Sequence, residues 1–174
     1  LQGIPRSCYG LTKLTTEGYL RIYEESFGLP YICYRYANVY GPRQGNGGEG
    51  GVISIFCEQV AKGETLVVYG DGTQTRDFVY VDDVVEANIL GLREGVTGII
   101  NVSTGTGISL NDLMNTLEEI TNTTINREYH EPRIGDIKHS LLSTEKASRV
   151  LGYAPTWSLR DGLEKTYHYV KDNM

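Results

Sequence analysis

The sequence predicts an α/β fold, and three observations point there. Short stretches rich in β-branched and aromatic residues alternate with helical stretches along the whole chain. Glycine and proline punctuate the changes between them. Two Ser-x-x-Asp spacings, Ser109 to Asp112 and Ser158 to Asp161, have the form of capping boxes and mark helix starts. No internal repeat, low-complexity tract or clean domain boundary interrupts this pattern.

Residues 9–27 lack proline and form the first helix, stopped at Gly28-Leu29-Pro30. Residues 31–36 are short and β-rich and read as a buried strand. Residues 38–51 read as a loop, opened by Gly41-Pro42 and carrying five glycines between Gly45 and Gly51. A helix is expected over 52–61 and a strand over 65–69, followed by a Gly70-Asp71-Gly72 turn. Residues 77–81 form the next strand, and Asp82 caps a helix running to residue 92. After a strand at 99–102, Ser109 opens a helix to about residue 121. Residues 125–130 are a strand and 131–143 a loop or sheet edge. Ser143 opens a short helix ending at Gly152, and Ser158 opens the last one.

Composition narrows the function. The 174 residues carry a formal charge of −6, with 40% hydrophobic and 22% charged residues. Such a chain is globular, and it lacks the basic balance expected of a nucleic-acid-binding module. Its apolar runs are too short to span a bilayer. Cys8, Cys33 and Cys57 are odd in number and contain no Cys-x-x-Cys pair, so a reducing, cytoplasmic setting is expected, without disulfides or zinc. The thirteen tyrosines suit pockets for sugars and nucleotides, since each offers an apolar ring with a polar tip. The chain opens on Leu1, which suggests a piece of a longer protein.

Tyr9-Gly-Leu-Thr-Lys13 carries the clearest chemistry. Four residues of helix bring both side chains to one face. An ammonium beside a phenol favours the phenolate, which can act as general base on an alcohol. Gly45-Asn-Gly47-Gly48-Glu-Gly50 matches G-x-G-x-x-G, but Gly41-Pro42-Arg43-Gln44 separates it from the preceding strand. A dinucleotide fingerprint sits in the tight turn after a strand, so this stretch reads instead as a flexible loop over a ligand. Arg35, Arg43, Arg76 and Arg133 lie at strand ends or in loops, where they either converge on a diphosphate or remain separate surface charges. Asn38 reads as a turn-former and Asp82-Asp83 as a helix N-cap. His130, His139 and His168 have no metal-ligand spacing. Trp157 reads as a packing residue. Cys8, with no His nearby in sequence, reads as a small pocket-lining residue rather than a nucleophile.

Four stretches resemble one family when taken in order. They are Ser7-Cys-Tyr-Gly-Leu-Thr-Lys13, Arg35-Tyr-Ala-Asn-Val-Tyr-Gly-Pro-Arg43-Gln44, Gly70-Asp-Gly-Thr-Gln-Thr-Arg76-Asp-Phe-Val-Tyr-Val-Asp-Asp83 and Pro132-Arg-Ile-Gly-Asp136-Ile-Lys-His-Ser140. Together they are similar to the extended short-chain dehydrogenase/reductase (NAD-dependent epimerase/dehydratase) family, most of all its UDP-glucose 4-epimerase branch.

The resemblance implies the C-terminal part of a Rossmann-like, doubly wound parallel sheet plus a small α/β substrate-binding domain. Residues of about 1–41 and 76–104 would belong to the first, and about 42–75 and 105–174 to the second. It implies NAD as cofactor, a UDP-sugar as substrate and a homodimer paired through the first helix. Tyr9 matches the catalytic tyrosine and Lys13 its partner, both also contacting the cofactor. Tyr36 matches a residue at the nicotinamide end. Asn38, Arg76 and Arg133 match positions that grip the nucleotide diphosphate, and Asp136 the one that holds the ribose. Val67 to Tyr69 match the strand lining the base pocket, and Val52 falls among the substrate-binding positions. Ser140 falls beside the sugar 2-position, where a small residue leaves room for N-acetyl groups. The implied activity is 4-epimerisation of UDP-glucose and UDP-galactose through transient oxidation at C4. Related alternatives are a 4,6-dehydratase, a UDP-glucuronate decarboxylase or a non-catalytic sugar-nucleotide-binding fragment. The family's glycine-rich fingerprint and its Ser or Thr upstream of the tyrosine have no counterpart in these residues, so apolar surface is expected to stand exposed.

Overall fold

The structure is a computed structural model that describes residues 4–5, 7–45, 51–133 and 135–174. Helix α1 (Cys8–Phe27) starts at Ser7, whose hydroxyl accepts the Gly10 N–H at 3.0 Å, and ends at Gly28 in the left-handed region (φ 65°). None of its residues is buried, and Tyr19, Ile22, Tyr23 and Phe27 stand exposed along it.

Strand β1 (Ile32–Tyr36) pairs in parallel with β5 (Gly98–Val102), in register Ile32 to Gly98. It is half-buried rather than buried, and Tyr36 is exposed. The Ala37 N–H still bonds the Val102 carbonyl at 2.9 Å. The chain then enters a second sheet as β2 (Asn38–Tyr40), parallel to β4 (Thr75–Tyr80). The opening of the expected loop is thus a strand, and Asn38 is a strand residue rather than a turn-former. Most of the glycine-rich stretch, residues 46–50, lies outside the described residues.

Helix α2 (Val52–Ala61) follows, then β3 (Leu66–Tyr69), which pairs in parallel with β7 (Arg127–His130). β4 also pairs antiparallel with β6 (Gly107–Ser109) and in parallel with β8 (His139–Ser140). Neither β6 nor β8 was expected as a defined strand, since both are too short to show a period. Helix α4 (Leu110–Thr121) starts at Ser109 and α6 (Leu159–Asp172) at Ser158, and each serine hydroxyl accepts the N–H of the aspartate three residues on. Helix α5 (Glu145–Leu151) has Thr144 at its N-cap position, the Ser143 hydroxyl accepts the Glu145 N–H at 3.3 Å, and the helix ends at Gly152.

Helix α3 (Val81–Gly91) has Tyr80 as its N-cap, which corrects the cap expected at Asp82-Asp83. Asp83 is 2% exposed and works across the fold. Its carboxylate accepts from the Thr156 N–H (2.9 Å), the Thr156 hydroxyl (3.0 Å) and the Trp157 N–H (3.3 Å). Trp157 packs its ring 4.4 Å from Tyr80.

β4 separates two buried clusters because successive strand residues point to opposite faces. Phe78 and Tyr80 join Tyr40, Ile53, Leu113 and Leu163 on one side. Val79 joins Ile100, Val102, Leu151 and Tyr153 on the other.

Candidate active site

A hollow of about 900 Å3 opens where α1 leans over the ends of β1 and β2. Tyr9 and Lys13 enter it from α1, Tyr36 from β1, Asn38 from β2 and Val52 from the first turn of α2. The helical spacing places Lys13 Nζ 5.2 Å from the Tyr9 ring centroid. Tyr9 is 65% exposed, so its phenol is open to a ligand. Tyr36 donates to Asn88 Oδ1 at 3.0 Å and stacks on Tyr34 at 5.9 Å, which fixes its ring at the hollow's edge. Glu17 also lines the hollow, one helical turn beyond Lys13. Both of its carboxylate oxygens accept from Arg35, each at 2.6 Å, and this fork holds the Glu17 carboxyl below its ordinary range.

A second hollow, of about 520 Å3, lies between the end of β3 and the segment entering β8. Tyr69, Arg133 and Asp136 line it, and the Arg133 guanidinium lies 3.9 Å over the Tyr69 ring. Arg76 Nη2 donates to Asp136 Oδ1 at 2.6 Å and Nη1 donates to the Ile137 carbonyl at 2.5 Å. Lys138 donates to Asp71 Oδ1 at 2.9 Å and also to the Thr73 hydroxyl, tying the segment to the turn after β3. With the Thr73 N–H and hydroxyl also donating to it, the Asp71 carboxyl lies well below its ordinary range.

β4 lines the first hollow directly and touches the second only through the Arg76–Asp136 ion pair. Phe78 lines the first and is in register with Asn38, while Arg76 lies two residues earlier on the same strand and hence the same face. Tyr9, Lys13, Tyr36, Asn38 and Val52 thus line the first hollow, Tyr69, Arg133 and Asp136 line the second, and Arg76 lines neither but reaches the second through Asp136. Val67 and Ser140 are half-buried and line neither hollow, though Ser140 is in register with Arg76.

The four arginines do not converge. Arg133 lines the second hollow, Arg76 is bound to Asp136 beside it, Arg35 belongs to the first hollow, and Arg43 is an exposed residue with a φ of 69°. Sequence reasoning missed Glu17 and Lys138. Glu17 was signalled by its place four residues after Lys13, whereas no local pattern marked Lys138. Among the described residues no cluster could hold a metal ion, and no described helix is long and apolar enough to cross a membrane.

The sequence profile of the NAD dependent epimerase/dehydratase family matches residues 3–103. The chain belongs to this family. Within it, the UDP-glucose 4-epimerase of Mycolicibacterium smegmatis is 38% identical over 169 residues, covering 97% of this chain and 54% of the relative. The crystal structure of UDP-glucose 4-epimerase from Thermotoga maritima with UDP-glucose superposes with a TM-score of 0.94 at 44% identity, over 98% of this chain and 55% of that one. The UDP-glucose 4-epimerase of Thermus thermophilus, in complex with NAD, superposes with a TM-score of 0.90 at 36% identity, over 98% of this chain and 56% of that one. The fold is thus the Rossmann-like one of UDP-sugar epimerases, and the family's cofactor is NAD. The chain spans about half the length of these relatives.

Proposed function

We propose that this chain forms the catalytic-tyrosine and nucleotide-binding part of a UDP-sugar 4-epimerase. UDP-glucose and UDP-galactose are its substrates, and the small Ser140 admits N-acetylated forms. One observation carries the reading: Tyr9 and Lys13 line a hollow that β4 also lines through Phe78, and Arg76 on the same strand pairs with Asp136, which lines a second hollow with Arg133.

In this reading the first hollow takes the hexose and the second the nucleotide. Arg76 and Arg133 neutralise the diphosphate, for which the planar fork of arginine is suited. Asp136 keeps Oδ2 free to accept from a ribose hydroxyl, since Oδ1 is taken by Arg76 and the Ile137 N–H. The Tyr69 ring and Val67 on β3 flank the base. Anchored by its nucleotide, the sugar keeps the freedom to present either face to Tyr9.

The residues present fit one end of NAD: the exposed ammonium and phenol of Lys13 and Tyr9 can hold a ribose, and the fixed Tyr36 ring lies beside them. When bound, NAD supplies the reversible oxidation of the sugar at C4. Tyr9 holds the proton of the reaction, taking it from the 4-hydroxyl as that carbon is oxidised and returning it on reduction from the opposite face. Lys13 Nζ, 5.2 Å from the Tyr9 ring centroid, puts a positive charge beside this phenol.

The uncovered apolar side chains of α1 support a homodimer formed on that helix. The free cysteines Cys8, Cys33 and Cys57 support a reducing cytoplasm.

The test is Tyr9→Phe in the full-length protein, with interconversion of UDP-glucose and UDP-galactose followed by product analysis. The reading expects UDP binding to be retained and turnover to fall at least a hundredfold. Wild-type turnover in this variant would overturn it. A dehydrated or decarboxylated product from the wild type would replace the epimerase with one of its family alternatives.

A further inference from the structure

We propose that Arg35 is a positioning residue: by holding Glu17, it keeps the Lys13 ammonium beside Tyr9. This rests on the reading of Tyr9 and Lys13 given above. Tyr9, Lys13 and Glu17 follow one another at four-residue spacing on α1, and all three line the same hollow. Lys13 therefore has two neighbours on its own face, a phenol one turn back and a carboxylate one turn on. A full negative charge attracts an ammonium more strongly than the face of a ring does. Left to itself, Glu17 would draw Lys13 down the helix, away from the tyrosine.

The structure shows the opposite arrangement. Lys13 stands over Tyr9, and among the described residues it makes no ion pair. Glu17 is engaged from across the hollow, where Arg35 on β1 donates Nε to Oε1 and Nη2 to Oε2. The Glu17 side chain is only 13% exposed, so its charge is matched within the protein rather than by water.

The other titratable groups lining the hollow are Cys33, Tyr34 and Tyr36 on β1 and Tyr40 on β2. Burial raises Cys33, Tyr34 and Tyr40 above their ordinary ranges, which keeps them neutral. Lys13, Glu17 and Arg35 are then the charged side chains among the described lining residues. With Glu17 and Arg35 mutually neutralised, the ammonium is the net charge that Tyr9 meets.

The experiment is the pH profile of kcat and KM in the full-length enzyme with UDP-galactose. In Arg35→Met the released Glu17 recruits Lys13. The acid limb of the kcat profile should move about one pH unit alkaline, and kcat at neutral pH should fall about tenfold with KM little changed. Glu17→Gln/Arg35→Met removes the competitor and should return the limb to its wild-type position. Arg35→Lys keeps a charge without the fork and should give a smaller shift in the same direction. It carries the test if Arg35→Met fails to fold. An unmoved acid limb in the foldable single variant, or a double variant no better than the single one, overturns the proposal. Wild-type turnover in Tyr9→Phe would instead bring down the underlying reading, whatever Arg35 does.

Discussion

Arg76→Met separates the two tasks this arginine performs. In the structure its guanidinium is spent on protein: Nη1 donates to the carbonyls of Thr75 (2.9 Å) and Ile137 (2.5 Å), and Nη2 to Asp136 Oδ1 (2.6 Å). The Asp136 side chain is 39% exposed, so the ion pair contributes no more than about 1 kcal/mol to folding. Ile137 is itself exposed, and water can replace the donor its carbonyl loses. A contact from this guanidinium to a diphosphate oxygen is worth more, about 2–3 kcal/mol for a charge-assisted hydrogen bond. The variant should therefore melt within about 3 °C of the wild type yet bind UDP about 30- to 150-fold more weakly. Arg76→Lys keeps the charge but not the fork and should lose about five- to tenfold. Calorimetric titration of UDP into the full-length protein, beside a thermal melt, measures both quantities. A dissociation constant within threefold of the wild type in Arg76→Met would refute the placement of the diphosphate.

Two further outcomes follow from particular contacts. Asp83→Ala leaves the Thr156 and Trp157 N–H groups without their acceptor and should lower stability by about 2–4 kcal/mol in urea denaturation. A loss below about 1 kcal/mol would show that water reaches them. Arg35 depresses the Glu17 carboxyl in the folded protein, so the stability it lends is present above the unfolded value of about 4.3 and disappears as pH falls through the lower folded value. Acid unfolding should thus be less steep in Glu17→Gln than in the wild type, and identical acid limbs would contradict the pairing.

Particular residues show how far local pattern reached. The capping serines Ser109 and Ser158, the left-handed stop at Gly28 and the start of α2 at Val52 were all legible, because each depends on neighbours within one helical turn. The shared face of Tyr9 and Lys13 was legible for the same reason. β2 was read as a loop because three residues before Gly41-Pro42 show no period, and its strand character comes from pairing with β4. Asp83 was read as a cap because acids commonly sit in a first helical turn. Its carboxylate turns instead to Thr156, 73 residues away.

The sequence by itself determined the α/β class, the order of the main helices and strands, and the two residues that carry the chemistry in the proposed reaction. Spacing encodes these directly, since helix and strand periods place near neighbours on known faces. Only the tertiary structure decided which charges pair. Arg35 finds Glu17 across 18 residues, and Arg76 finds Asp136 across 60. The register of β4 set one end of the site against the other. Such partners are chosen by long-range packing of elements, and a local pattern contains no record of which side chain will face it across a sheet or a hollow.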